Sequence, residues 1–303
     1  MKKLLFISAF GLLCTGLSAQ QHSIYSQYIF NLYMVNPAYA GERDALSAGL
    51  SYRTQWVGFE GAPKTQNFTI HSPLPNNDMA VGLMFQNDEI GARSTPSFMA
   101  TYSYKVKLNK SNHLSFGLQG GVLNYQYHWE KLNYRQGLDP VSFNTEENKW
   151  IPSFDFGAMY ITPKAYIGLS ILSVNNTKTI QSDASEAHLT AVYNLIAGKM
   201  YQVSPEVFLK PSTIIRSYIN GPTQFDVNLS AFFKNKYWVT ATYRYNYGAV
   251  LSAHIYVNDR FHFGYAYDLP LNTLLANQSG THELFIGYDF NIYHKKKRSP
   301  YIF

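Results

Sequence analysis

From about residue 44 onward the chain alternates apolar and polar side chains position by position. In 260–268, Phe261, Phe263, Tyr265 and Tyr267 fall between Arg260, His262, Gly264, Ala266 and Asp268. After Gln224, the positions Phe225, Val227, Leu229, Ala231 and Phe233 alternate with Asp226, Asn228, Ser230 and Lys234. Phe98, Ala100, Tyr102, Tyr104, Val106 and Leu108 alternate with Met99, Thr101, Ser103, Lys105 and Lys107. Near the end, Leu284, Ile286, Tyr288, Phe290 and Ile292 stand opposite Glu283, Gly287, Asp289 and Asn291, with Phe285 as the one exception. A period of two marks strands with one apolar and one polar face.

Length and aromatic content choose between a soluble sandwich and a membrane barrel. The runs extend over about 9 to 13 residues, whereas soluble strands centre on about five or six and a tilted membrane strand needs about 9 to 11. Their apolar faces carry Tyr, Phe and Trp, the residues of interfacial girdles. Fourteen strands are predicted, starting near residues 44, 66, 79, 95, 113, 152, 164, 187, 205, 224, 236, 249, 260 and 281. Short turns are expected at 73–78, 109–112, 162–163, 202–204, 235 and 258–259. Longer connections are expected at 55–65, 88–94, 128–151, 173–186, 218–223 and 269–280, with 246–248 short for its class. That alternation fits short periplasmic turns and longer surface loops. Lipid tolerates no unpaired strand edge, so the sheet must close. The fold expected is an all-β transmembrane antiparallel barrel of about 14 strands over 44–293, preceded by a periplasmic or plug segment at 21–43 and followed by a basic tail at 294–303.

Composition agrees. Only 15% of the 303 residues are charged, against about 25% in soluble globular chains, and aromatic residues reach 16%. Mean hydropathy is −0.21, and no stretch of about 18 apolar residues follows residue 20, so a helical span is not expected. Residues 1–20 read as a secretory signal: Lys2 and Lys3, an apolar stretch 4–13, then Gly16, Leu17, Ser18 and Ala19. Leu13 stands before Cys14 where a lipoprotein signal needs a small residue, so the one Cys is expected to leave with the signal and take disulfide chemistry with it. The net charge of +6 comes from Lys2 and Lys3 together with Lys295, Lys296, Lys297 and Arg298. The body between is neutral, which argues against nucleic acid as a partner.

The candidate chemistry is sparse. Ser252, His254 and His262 share the polar side of neighbouring strands, where a nucleophile and base could meet. In a barrel, however, polar residues at every second inward position make such neighbours common. His128-Trp129-Glu130 and His282-Glu283 lack further ligands at metal spacing. Gly117, Gly120 and Gly121 lie within a strand, where glycine marks a bulge or a close approach rather than a phosphate loop. No catalytic residue, cofactor or metal is expected. Phe208, Phe232, Tyr256 and Phe285 fall on inward positions and lean towards a filled interior.

Two regions read as partner-binding candidates. One holds Asn36, Pro37 and Gly41, then Trp56, Gly58, Phe59, Gly61 and Pro63. Its plain reading is a turn and a tight aromatic loop; its functional reading is a docking surface anchored by Trp56 and Phe59. The other is the tail Lys295, Lys296, Lys297 and Arg298, either a solvated end or a contact for an acidic partner, cell-wall polymer or lipid phosphate.

These residues also resemble a family. Gln27-Tyr28-Ile29-Phe30-Asn31, Asn36-Pro37-Ala38-Tyr39-Ala40-Gly41 and Tyr52-Arg53 lead into the run from Gln55-Trp56-Val57-Gly58-Phe59-Glu60-Gly61-Ala62-Pro63-Lys64 to Thr65-Gln66. Together they are similar to the PorP/SprF family of Bacteroidota. His71-Ser72-Pro73-Leu74, Asn87-Asp88-Glu89-Ile90-Gly91 and Ser299-Pro300-Tyr301 fit the same pattern. The resemblance implies a non-catalytic outer-membrane barrel of the type IX secretion system. One member type is linked to a periplasmic peptidoglycan-binding lipoprotein and the secretion machine. The other is paired with a giant surface adhesin, such as one used in gliding motility, whose C-terminal domain it helps to export or anchor. Outer-membrane lipid completes the expected partners. The alternative kept open is a passive pore or transporter for a small solute, which needs an open polar lumen.

Overall fold

The computed structural model describes residues 23–129, 148–175, 177–182, 185–219, 221–271 and 279–290. The leader 1–20 and the basic tail Lys295–Arg298 lie outside the described residues. Seven wall strands come first: β1 (Leu46–Thr54), β2 (Lys64–Pro73), β3 (Met79–Ile90), β4 (Arg93–Lys107), β5 (His113–Tyr127), β6 (Asn148–Ile161) and β7 (Ala165–Leu172). A two-stranded hairpin follows, β8 (Lys178–Ser182) and β9 (Ser185–His188). The wall resumes with β10 (Val192–Lys199), β11 (Tyr201–Ser204), β12 (Val207–Tyr218) and β13 (Gln224–Phe233). It ends with β14 (Tyr237–Arg244), β15 (Gly248–Tyr256), β16 (Phe261–Pro270) and β17 (Thr281–Phe290).

Every neighbouring pair is antiparallel, β17 returns to pair with β1, and β10 pairs with both β7 and β12. β10 and β11 are two segments of one strand interrupted at Met200. The sheet therefore closes into a barrel of fourteen strands with no open edge along its wall, the arrangement a bilayer demands.

The two faces are inverted relative to a soluble protein. Leu118, Leu169 and Leu251, each 60–62% exposed, project outward with the aromatic residues of the alternating runs, while Ser103, Ser115, Ser230 and Thr240 are fully buried inside. Phe285 breaks the alternation in β17 because it faces inward, 2% exposed, against Gly49 of β1. The wall places its apolar surface where only lipid can cover it.

Two sequence expectations need correction. The strand expected near 187 starts at Val192, and residue 187 belongs to the β8–β9 hairpin. Alternation alone cannot distinguish a hairpin within a connection from a wall strand. The connection expected at 88–94 is a two-residue turn, Ile90 pairing with Arg93 and Gly91 adopting φ +58°. His282 and Glu283 are adjacent positions of β17 that face opposite ways: His282 bonds the Tyr265 hydroxyl at 2.7 Å and Glu283 is fully buried inside.

Residues 25–41 occupy the lumen as three single 3-10 turns, Gln27–Ile29, Leu32–Met34 and Pro37–Tyr39, all of them buried. Asn36 caps the last turn, its Oδ1 accepting from the Ala38 amide at 2.9 Å, and Pro37 supplies a preset φ at the first position. The wall leaves room for this turn. A Cβ on Gly157 would lie 2.1 Å from Asn36 Oδ1, and one on Gly117 would lie 2.4 Å from the Ala38 nitrogen. Gly117 thus marks a close approach of backbone to backbone, one of the two roles its place in a strand allowed. Replacing Gly157 by Ala forces Asn36 off the wall and is expected to destabilise the barrel by about 1–3 kcal/mol. Heat-dependent gel migration of the detergent-solubilised protein should then show unfolding several degrees lower; an unchanged transition would mean that the turn does not pack there.

Candidate functional site

The lumen is the part of the molecule with the most buried polar contacts, and those contacts hold the internal segment. Wall hydroxyls meet its backbone carbonyls: Ser170 donates to Val35 O at 2.6 Å, Ser115 to Ala38 O at 2.6 Å and Ser103 to Ala40 O at 2.9 Å. Lys105 Nζ donates to Gly41 O at 2.8 Å, and Asn36 Nδ2 to Leu169 O at 3.0 Å. Non-regular backbone inside a barrel needs such partners, because no ladder satisfies it.

Near the long-loop end the segment enters a cluster of buried charge. Arg53 of β1 donates to Glu283 at 3.0 Å and to Asp268 at 2.7 Å. Arg244 of β14 pairs with Asp226 at 3.0 Å and with Asp268 at 3.0 Å. Two cations face three carboxylates, so the wall alone carries one excess negative charge. The internal segment offsets it with donors. Ser26 N and Gln27 N donate to Glu283 at 2.7 and 3.2 Å, and Ser26 Oγ donates to Asp268 at 2.7 Å. All of these charged side chains are at most 4% exposed. At the short-turn end a second set anchors the exit: Glu42 meets Lys105 at 3.3 Å and His113 at 2.9 Å, and Arg43 meets Asp289 at 3.7 Å.

Between the two anchors, Phe30 stacks on His254 with ring centroids 4.2 Å apart, and His254 Nε2 lies 2.7 Å from His262 Nδ1. Phe30 also joins Met200, Phe208, Phe232 and Trp238 in one apolar cluster, with Tyr256 against it. Ser252 and the two histidines are thus buried, with Phe30 of the internal segment stacked on His254. Two cavities flank the segment among the described residues. One of ≈390 Å³ lies at the short-turn end between Leu32, Tyr39 and the β4–β7 wall; one of ≈80 Å³ lies on the other side, beside Tyr33, Asn36 and Asp155. They share no lining residue.

The sequence candidates fall in two places. Asn36, Pro37 and Gly41 are buried against the inner wall and offer no docking surface, which corrects that part of the expectation: they are packing residues. Trp56, Gly58, Phe59, Gly61 and Pro63 form the connection between β1 and β2 at the long-loop end. That loop is braced on both sides. Trp56 N donates to Thr281 Oγ1 at 3.1 Å, Val57 N to Gly280 O at 2.9 Å, and Gly91 N to Gly61 O at 2.9 Å. Gly58 and Gly61 adopt φ +100° and +72°, conformations that L side chains rarely adopt. Trp56 is half-buried with its Nε1 enclosed, whereas Phe59 is 51% exposed at the tip. Phe59 is therefore the outward aromatic residue, and Trp56 supports it from below. Sequence reasoning missed Ser26, Gln27, Arg244 and Glu283 as a unit. The available signal was that Arg53, Asp226, Arg244, Asp268 and Glu283 all lie on polar faces near the same end of their strands.

A family model described as "Type IX secretion system membrane protein PorP/SprF" matches residues 17–288. No curated protein matches the chain in sequence. Among solved structures, the fold is similar to the CymD monoaromatic hydrocarbon channel, at TM-score 0.51 and 13% identity over 92% of this chain and 96% of that one. It is also similar to the Pseudomonas putida toluene transporter TodX, at TM-score 0.49 and 10% identity over 91% of this chain and 96% of that one. At such identity the likeness to CymD speaks for the barrel fold alone.

Removing Arg53 would leave Asp268 and Glu283 buried with too few donors, a change that costs about 3–5 kcal/mol when a buried pair is broken. Arg53→Ala is expected to loosen residues 23–45 and speed their cleavage in limited proteolysis of the folded barrel, with Glu283→Gln milder because it removes the excess charge. Equal cleavage rates in Arg53→Ala and the unmodified protein would contradict the pinning of this segment by the cluster.

Proposed function

The chain belongs to the PorP/SprF family of type IX secretion system membrane proteins, and from that premise we propose that it is a closed docking barrel rather than a conduit. The outer rim binds the C-terminal domain of a secreted surface adhesin, for export or anchorage. The inner rim is linked to a periplasmic peptidoglycan-binding lipoprotein or another component of the secretion machine. The observation that carries this reading is the filled lumen. A segment held by hydrogen bonds from Ser26 and Gln27 at one end, by wall hydroxyls along its length and by Glu42 and Arg43 at the other fills the lumen, and the two cavities beside it share no lining residue. A barrel filled in this way acts through its two ends.

At the outer end the 55–63 loop supports the docking role. It is rigidly braced by Thr281, Gly280 and Gly91, so Phe59 is presented without the ordering penalty of a flexible loop. An exposed aromatic residue on such a base has the character of an interface hot spot. At the inner end, the ≈390 Å³ cavity combines Leu32, Met159 and Ile161 with the Glu42–Lys105–His113 cluster on its wall. A surface of mixed apolar and charged character there suits a periplasmic protein segment.

The test is a mild-detergent pull-down of the tagged barrel from outer membranes, with mass spectrometry of what accompanies it. Phe59→Ala is expected to lower recovery of a large secreted protein at least tenfold, the loss of a hot spot of about 2 kcal/mol, while heat-dependent gel migration stays normal. Trp56→Ala is expected to do the same by releasing the loop. Undiminished recovery with both residues replaced would remove the docking role from this loop.

A further inference from the structure

The short-turn rim carries a band of exposed cations that neither the lumen nor the docking loop uses. Lys110 lies in the turn between β4 and β5, Lys164 in the turn between β6 and β7, and Lys199 at the end of β10. Lys234 and Lys236 lie between β13 and β14, and Arg260 between β15 and β16. All six are exposed, and the exposed acids among the described residues of this rim are Glu206 and Asp259. Among the described residues of the opposite rim, the exposed Lys64 and Lys178 are matched by the exposed Glu60 and Glu89.

Two features fix the kind of partner. First, the cations are spread around the barrel, from the β4–β5 turn through β10 to the β15–β16 turn. A docked protein covers one sector of a rim, whereas a lipid leaflet meets the whole circumference. Second, the cations sit beside outward aromatic and apolar residues. Lys199 Nζ lies 4.9 Å from the ring centroid of Tyr201, and Lys236 Nζ lies 5.5 Å from that of Tyr237. Tyr201 and Val203 are 48% and 62% exposed on the outer face. A lysine whose ammonium sits over the ring of an outward-facing tyrosine at the barrel rim is placed at headgroup depth.

We propose that this rim binds anionic phospholipid headgroups of the periplasmic leaflet, with Lys199 beside Tyr201 and Lys236 beside Tyr237 as its best-defined phosphate contacts. The ring of charge selects a lipid with net negative headgroup over a zwitterionic one and fixes the depth of the barrel in the membrane. The inference is independent of which secreted protein the outer rim takes.

The test is native mass spectrometry of the full-length protein released from vesicles of phosphatidylethanolamine containing phosphatidylglycerol. The unmodified protein is expected to retain phosphatidylglycerol selectively. Lys199→Gln with Lys236→Gln should reduce that retention roughly thirtyfold, from about 1 kcal/mol for each cation near the charged surface. Lys199→Arg with Lys236→Arg should preserve it. Lys64→Gln with Lys178→Gln, at the other rim, should leave it unchanged. Heat-dependent gel migration checks that each variant is folded. Retention of phosphatidylglycerol by the Gln pair equal to that of the unmodified protein would overturn the proposal. So would a selective loss of an acidic periplasmic protein from the pull-down with lipid retention unchanged, which would assign the rim to a protein instead.

Discussion

The structure depends on the charge imbalance inside the barrel wall. Arg53 and Arg244 face Asp226, Asp268 and Glu283 in a space with almost no solvent. Buried charge is tolerated only when paired and hydrogen-bonded, and the wall by itself leaves one carboxylate in excess. The amides of Ser26 and Gln27 and the hydroxyl of Ser26 supply the missing donors. Wall and internal segment are thus incomplete without each other: the segment has no ladder of its own, and the wall has carboxylates whose hydrogen bonds it cannot complete alone. This mutual need explains why about twenty residues of non-regular chain remain inside a barrel whose strands are complete without them.

Other features follow from that arrangement. The inward serines at 103, 115 and 170 sit where the segment's carbonyls need donors. Gly117 and Gly157 sit where the Asn36–Pro37 turn touches the wall, and any side chain there would displace it. Phe30 covers His254, so the histidine pair that a reader of the sequence could take for catalytic machinery is part of the packing. With the interior committed, the free surfaces are the two rims and the lipid-facing belt. The family's place in secretion is compatible with a barrel that holds partners at those rims.

The wall was largely legible because a bilayer imposes a strict period: β3, β5, β13 and β17 begin at the residues where alternation and turn chemistry placed them. The hairpin β8–β9 was not, since a short alternating run in a connection has the same local pattern as a wall strand. The internal segment was harder to read. Its apolar residues, from Tyr25 to Tyr39, follow neither a period of two nor a helical period, because each 3-10 turn packs on a different part of a curved wall. Asn36, Pro37 and Gly41 have the local pattern of a surface turn; the burial of Asn36 and Pro37 depends on Gly117 and Gly157, far along the chain, and Gly41 packs on Pro73 and Ala80. Trp56 and Phe59 looked equivalent in sequence; the contacts of Thr281 and Gly280 with the loop backbone set one inward and the other outward. These distinctions arise from long-range pairing, which no local pattern encodes.

The claim on which the account rests is that the interior is closed, and ion conduction across a planar bilayer tests it most directly. Full-length protein inserted into such a bilayer is expected to leave it insulating, with no steady current across the physiological voltage range. A stable ohmic conductance from the intact protein would contradict the account, because it would mean that residues 25–41 do not seal the lumen and that the barrel is a pore.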